Sequence, residues 1–128
     1  MELNKETVVQ AVITKINKNN RKTIRTKHLK NFEEPEKVND QEGLHNYVPD
    51  ISVEYKGSLI LFEIELNNKF NIHKWKSISE YVAPNNGKLT LVFPERMLYP
   101  VMYNIKKHNL KNIIAIPFQI KNTSVDSK

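Results

Sequence analysis

Residues 47–66 read YVPDISVEYKGSLILFEIEL, and the alternation within them decides the fold. Apolar and polar positions alternate over 47–55 and again over 58–66, the period of two that a half-buried strand imposes. Between them lies Lys56-Gly57, a short turn in which Gly57 supplies the positive φ of a tight hairpin. With these two as the loop residues, Tyr55 faces Ser58, Val53 faces Ile60, Ile51 faces Phe62 and Asp50 faces Glu63. One face of the ribbon then carries Ile51, Val53, Tyr55, Ile60, Phe62 and Ile64, which reads as core. The other carries Asp50, Ser52, Glu54, Leu59, Leu61, Glu63 and Glu65, with three acids gathered at its far end. Side chains opposed on one face have Cβ atoms about 4.5–5.5 Å apart, and like charges placed there destabilise a sheet. Two arrangements relieve that repulsion: a face open to water, or a cation between the carboxylates. Leu59 and Leu61 on the same face argue that it is at least partly covered.

Upstream, Val9, Val12, Ile13 and Ile16 recur at helical spacing and predict an amphipathic helix over 4–18, capped by Asn4. Glu6 reads as a helix-start acid favoured by the dipole. Thr23, Ile24 and Thr26 among basic residues predict a short strand over 22–27. Residues 28–47 are polar, acidic and irregular, long for a connection within a compact domain. Downstream, Asn67 or Asn68 caps a helix over 69–82 whose apolar stripe is Ile72, Trp75, Ile78 and Val82, so that Trp75 reads as core. Lys69, His73, Lys76 and Glu80 fall on another face. Pro84 and Gly87 break this helix, and 88–93 reads as a strand closed by Pro94. Residues 95–108 read as a helix with Pro100 near its start, and 112–118 as a buried strand.

The element order is therefore αβββαβαβ. An α/β architecture, a mixed β-sheet flanked by helices, is the simplest for that order, since strands reached by helical crossovers lie parallel to a neighbour. A single domain over 1–120 is expected, with a flexible tail over 121–128.

The chain has 128 residues, 39% hydrophobic and 27% charged, with three glycines and a mean hydropathy of -0.56, which excludes collagen-like and mucin-like classes. The longest apolar stretches, 59–62 and 113–118, fall far short of the roughly 20 residues that cross a bilayer. No secretory leader pattern opens the chain, so a cytoplasmic protein with no membrane partner is expected. There is no cysteine, which removes disulfides, thiolate zinc sites and cysteine nucleophiles. A metal must be held by carboxylates or histidines, and His28, His45, His73 and His108 show no zinc-ligand spacing. Glycine loops for phosphate, nucleophile elbows and helix-turn-helix signatures are not found.

Lys and Arg outnumber Asp and Glu by 20 to 14, a net charge of +6 that favours polyanionic partners, nucleic acid first. The excess is local. Residues 15–30 carry Lys15, Lys18, Arg21, Lys22, Arg25, Lys27 and Lys30 without an acid, whereas 33–42 are dominated by Glu33, Glu34, Glu36, Asp40 and Glu42. Arg21, Lys22, Arg25 and Lys27 are the candidate contacts to a nucleic-acid backbone. Carboxylates converging from adjacent strands suit the hard oxygen ligation of Mg²⁺ or Mn²⁺, which keep waters and take one or two carboxylates beside phosphate oxygens.

Pro49-Asp50, followed after twelve residues by Glu63-Ile64-Glu65, resembles the signature of the PD-(D/E)XK nuclease superfamily, the restriction-endonuclease-like fold. The likeness extends to the element order over residues 4–118. It implies a metal-dependent nuclease that hydrolyses phosphodiester bonds in DNA. Asp50 and Glu63 would be its metal ligands, joined by the main-chain carbonyl of Ile64. The third motif position is Glu65, where most members carry lysine. A minority of similar restriction enzymes use Glu there, and in other members the lysine has migrated to the following helix. Lys69, Lys74 and Lys76 are the candidates for that role, with His73 a further one that also counts among the nucleic-acid contacts. A degenerate site, binding nucleic acid or a protein partner without cleavage, is the alternative the same departure implies. Nucleases that cut both strands often act as dimers, so the likeness also admits a homodimer. A looser likeness to plasmid replication-relaxation proteins rests on residues 74–81 and 89–93.

Overall fold

The computed structural model describes residues 3–16 and 23–120. Helix α1 (Lys5–Ile16) starts where expected: Asn4 Oδ1 accepts the backbone N–H of Thr7 at 2.8 Å, and Glu6 lies exposed in the first turn. The end predicted at 17–18, Arg21, Lys22 and the tail 121–128 lie outside the described residues.

Among the described residues there follow β1 (Thr23–Arg25), β2 (Val38–Asn39), β3 (Asn46–Tyr47), β4 (Ile51–Tyr55), β5 (Ser58–Ile64), α2 (Ile72–Val82), β6 (Lys88–Pro94), α3 (Leu98–Lys107) and β7 (Ile113–Phe118), with short 3-10 turns at Ala83–Asn85 and Glu95–Met97. The main sheet has five strands in the order β1-β4-β5-β6-β7. Its β1–β4 and β4–β5 pairs are antiparallel, and β5–β6 and β6–β7 are parallel. The fold is thus mixed α/β, with α2 and α3 making the crossovers between parallel strands. The hairpin register is the one its turn dictates, with Ile51 opposite Phe62, Val53 opposite Ile60 and Tyr55 opposite Ser58. Lys56 and Gly57 both have positive φ, at 52° and 82°, the geometry whose twist matches that of the flanking strands.

Both faces of the sheet are covered. Against α1, the residues Val8, Val9, Ile13, Ile51, Val53, Phe62, Ile64 and Val92 form one core. On the opposite face Leu61, Leu89, Leu91 and Phe93 pack with Trp75, Ile78 and Val82 of α2 and Val101 of α3. Parallel strands buried on both faces need such a double cover, and each fully buried large apolar side chain contributes about 1.5–3 kcal/mol.

Four expectations are corrected. The predicted strand 47–55 is two elements, because Tyr47 pairs with Val38 in a separate two-stranded ladder and β4 begins only after Pro49-Asp50. That ladder lies within the stretch read as irregular and adds two strands to the expected order. The helix predicted from 69 starts at Ile72: its cap is Asn71, whose Oδ1 accepts from Lys74 N at 3.0 Å, while Asn67 Oδ1 closes a turn onto Lys69 N. The strand read as buried, β7, is a sheet edge paired only with β6, which leaves Ile114 and Ile116 exposed and tolerates Pro117.

Candidate functional site

Asp50 and Glu63 meet at the end of the β4–β5 hairpin, and both side chains are almost fully buried, at 2% and 3% exposure. Ladder and side-chain bonds interlock here. The backbone N–H of Asp50 donates to Phe62 O at 3.0 Å and to Glu63 Oε2 at 3.1 Å, and the Ile64 N–H donates to Asp50 Oδ2 at 2.7 Å. Each carboxylate is thus oriented by the backbone of the other strand.

Two lysines, from α2 and α1, and a histidine from the loop after β1 converge on the pair. Lys74 Nζ of α2 lies 2.8 Å from Glu63 Oε1, Lys5 Nζ of α1 lies 3.3 Å from Asp50 Oδ2, and His28 Nε2 lies 2.8 Å from Asp50 Oδ1. Fully buried Thr26 holds this last approach, since its hydroxyl donates to Asp50 O at 2.7 Å and accepts from His28 N at 3.2 Å. Glu65, two residues along β5's line, accepts the indole N–H of Trp75 at 2.9 Å. Trp75 is core, as its helical spacing implies, yet its one polar atom fixes an acid of the site.

The electrostatics follow from burial. Loss of solvent, reinforced by the charge of Asp50, pushes Glu63 from 4.5 to about 7, against the opposing pull of Lys74. Glu65 is raised by burial, against the Trp75 hydrogen bond. Burial alone would lower Lys74, but the charge of Glu63 beside it, with Asp50 and Glu65, outweighs that and raises it. The ammonium is therefore held protonated while one carboxylate is poised near neutrality.

Of the residues singled out in the sequence, Asp50, Glu63, Glu65 and Lys74 come together. Ile64 takes part through its N–H, and its side chain lies in the α1-side core. Lys69 and Lys76 are exposed and make no ion pair with these acids among the described residues; Lys76 follows Lys74 by two positions and so points to a different side of α2. Arg25 is engaged by acids, with Glu54 at 2.8 Å and Glu33 at 3.6 Å, and Lys27 is exposed. Lys5 and His28 were not legible as site residues. Lys5 does precede Val8 and Val9 by three and four positions, the spacing that shares their helix face. The β1 register, Arg25 opposite Ser52, is what carries residues 26–28 toward Asp50.

His73 belongs to a second cluster, with Asp40 and His45, which the spacing of the histidines in the sequence does not show. The loop between β2 and β3 folds tightly, with Asp40 N bonded to His45 O and Gly43 N to Asp40 O, and sets Asp40 and His45 against His73 in the first turn of α2. Asp40 Oδ2 lies 2.9 Å from His45 Nδ1 and 3.5 Å from His73 Nε2. The hydrogen bond from His45 leads the causes that hold the Asp40 carboxyl below its ordinary 3.8. The three side chains come together from two separate segments of the chain, the β2–β3 loop and the start of α2, and could hold a metal ion.

No model of a known protein family matches the chain, and no curated protein matches it.

Proposed function

We propose that the protein is a metal-dependent nuclease that hydrolyses phosphodiester bonds in DNA, a member of the restriction-endonuclease-like group in which the lysine acts from the helix after the motif. The observation that carries this reading is Lys74 Nζ, 2.8 Å from Glu63 Oε1, at the place where Glu65 leaves the motif without its lysine. The donor set fits a hard divalent cation: two buried carboxylates at the adjoining ends of the hairpin, a third acid beside them, and a Glu63 raised toward neutrality by burial first and by the charge of Asp50 second. Mg²⁺ or Mn²⁺, when bound, supplies an acidified water and neutralises charge on the phosphodiester.

Each residue has a defined task in this reading. Asp50 and Glu63 hold the ion through oxygens that, in its absence, pair with Lys5 and Lys74 and meet the His28 ring. Lys74 keeps its proton and faces the charge that develops on the scissile phosphate. Glu65, oriented by Trp75, positions the attacking water, and its raised pKa suits it to accept a proton from that water. Lys5, 40% exposed, reaches from Asp50 toward the incoming backbone.

The same ion pairs support a second reading, a domain that binds nucleic acid without cutting it, because Lys5 and Lys74 already neutralise the acids where a metal would. One experiment separates the two. Supercoiled plasmid and single-stranded DNA are incubated with the protein in Mg²⁺, Mn²⁺ or EDTA, alongside Asp50→Ala, Glu63→Ala and Lys74→Ala. The nuclease reading expects cleavage that needs the metal and falls by about 100-fold or more in each variant. A salt-sensitive mobility shift without cleavage gives the binding reading the lead, and neither effect removes nucleic acid as the substrate.

A further inference from the structure

We propose that Asp40, His45 and His73 form a second metal site, for a transition-metal ion of the zinc class, independent of the carboxylate site and of its reading as a nuclease. One ligand atom from each of the three residues lies within 4.8 Å of the others. Two imidazoles and one carboxylate are one of the sets with which proteins supply three of the four ligands of zinc, whereas Mg²⁺ and Ca²⁺ take oxygens. Ligand atoms about 2.0–2.1 Å from a tetrahedral zinc stand roughly 3.3 Å apart. The separations of Asp40 Oδ2 from His45 Nδ1 and His73 Nε2, 2.9 and 3.5 Å, fall on either side of that figure.

The surroundings orient these atoms as a metal site requires. Leu44 N occupies the other oxygen of Asp40 at 2.9 Å and leaves Oδ2 to face the histidines. The Tyr47 hydroxyl lies 2.6 Å from His73 Nδ1, the partner at the far ring nitrogen that fixes a ligating imidazole. The two rings stand edge to face, 63° apart with centroids at 5.1 Å, rather than stacked, and a nitrogen of each lies within 4.8 Å of the other and of an Asp40 carboxylate oxygen. Asp40 is 3% exposed while His45 and His73 are 57% and 45% exposed, so the rings close on an ion freely and the fourth position opens to solvent, for water or a ligand oxygen. Bound there, the ion ties the β2–β3 loop to the first turn of α2, next to Lys74.

The test titrates the full-length, chelator-stripped protein with Zn²⁺ alone, by calorimetry, beside His45→Ala, His73→Ala, Tyr47→Phe and His108→Ala. The expected result is a Zn²⁺ site whose affinity is lower by about 10- to 100-fold in Tyr47→Phe, lower still in either histidine variant, and unchanged in His108→Ala. The wild-type protein carries an independent readout: Zn²⁺ should shift the ring resonances of His45 and His73 in NMR and leave those of His108 in place. Absence of Zn²⁺ binding would overturn the proposal. So would binding that survives both histidine variants, or shifts confined to His28.

Discussion

Glu63 is the residue whose environment is most out of balance, and its titration makes a direct prediction for the metal-free protein. Its pKa is about 7 in the folded chain against an ordinary 4.5, so between those values the native state binds the extra proton. Stability in EDTA should therefore fall as pH rises from about 4.5 to 7, by an amount of order 3 kcal/mol, and level off above. The Lys74 contribution runs at the other end: its raised pKa is stabilising below 10.5 and is lost as pH climbs beyond the folded value. Urea denaturation across pH checks both, and Glu63→Gln should flatten the acidic-side slope. Lys74→Ala leaves a buried carboxylate without its cation, which should cost about 3 kcal/mol at pH 8 and clearly less at pH 6, where Glu63 takes up a proton instead. An equal loss at both pH values would contradict the account. At this scale Asp50 and Glu63 were legible because a period of two and a two-residue turn leave one register. Lys74 was legible only as one of three lysines. What selects it is where α2 begins, and that depends on which of three nearby asparagines makes the cap.

Elements are where local chemistry and tertiary demand part. The β4–β5 hairpin is locally specified, through Lys56-Gly57 and the alternation around it, and its register follows. The asparagines before α2 are locally equivalent; Asn67 caps nothing because its side chain closes a turn onto Lys69, which leaves Asn71 to start the helix. The two-residue strands β2 and β3 have too few positions to show a period, so the cluster they support was invisible before the fold. Gly87, which reads as a helix breaker, turns out to serve contact. A Cβ there would overlap the Leu59 carbonyl and press on Val82 at 2.7 Å, both of them groups that join α2 to the sheet. Gly87→Ala should therefore cost about 1–3 kcal/mol by overpacking rather than stabilise by stiffening the chain. A thermal melt decides the sign. Gly57→Ala tests the contrasting mechanism, since nothing lies near its Cβ and only its φ of 82° resists the side chain.

Across the whole molecule, the net charge of +6 was read as attraction to a polyanion, and the fold now distinguishes charges that are available from charges that are engaged. Lys74 and Lys5 face the acids of the hairpin, and Arg25 lies between Glu54 and Glu33, so the basic stretch delivers less free charge than its sequence suggests. Lys27 and Lys30 are exposed and have no ion pair among the described residues. If DNA lies along this edge of β1, each phosphate neutralised releases counterions, and the slope of log K against log salt is about −0.9 per contact. Lys27→Ala should then weaken DNA binding at all sequences alike and make the slope shallower by about 1. Arg25→Ala should change the slope by less, because the guanidinium is already compensated and its loss frees two acids at the same edge. That release of Glu33 and Glu54 should still lower the affinity through repulsion, so affinity and slope should separate in this variant as they do not in Lys27→Ala. Fluorescence anisotropy at several salt concentrations measures both quantities, and equal slopes for the two variants would place the DNA on another face.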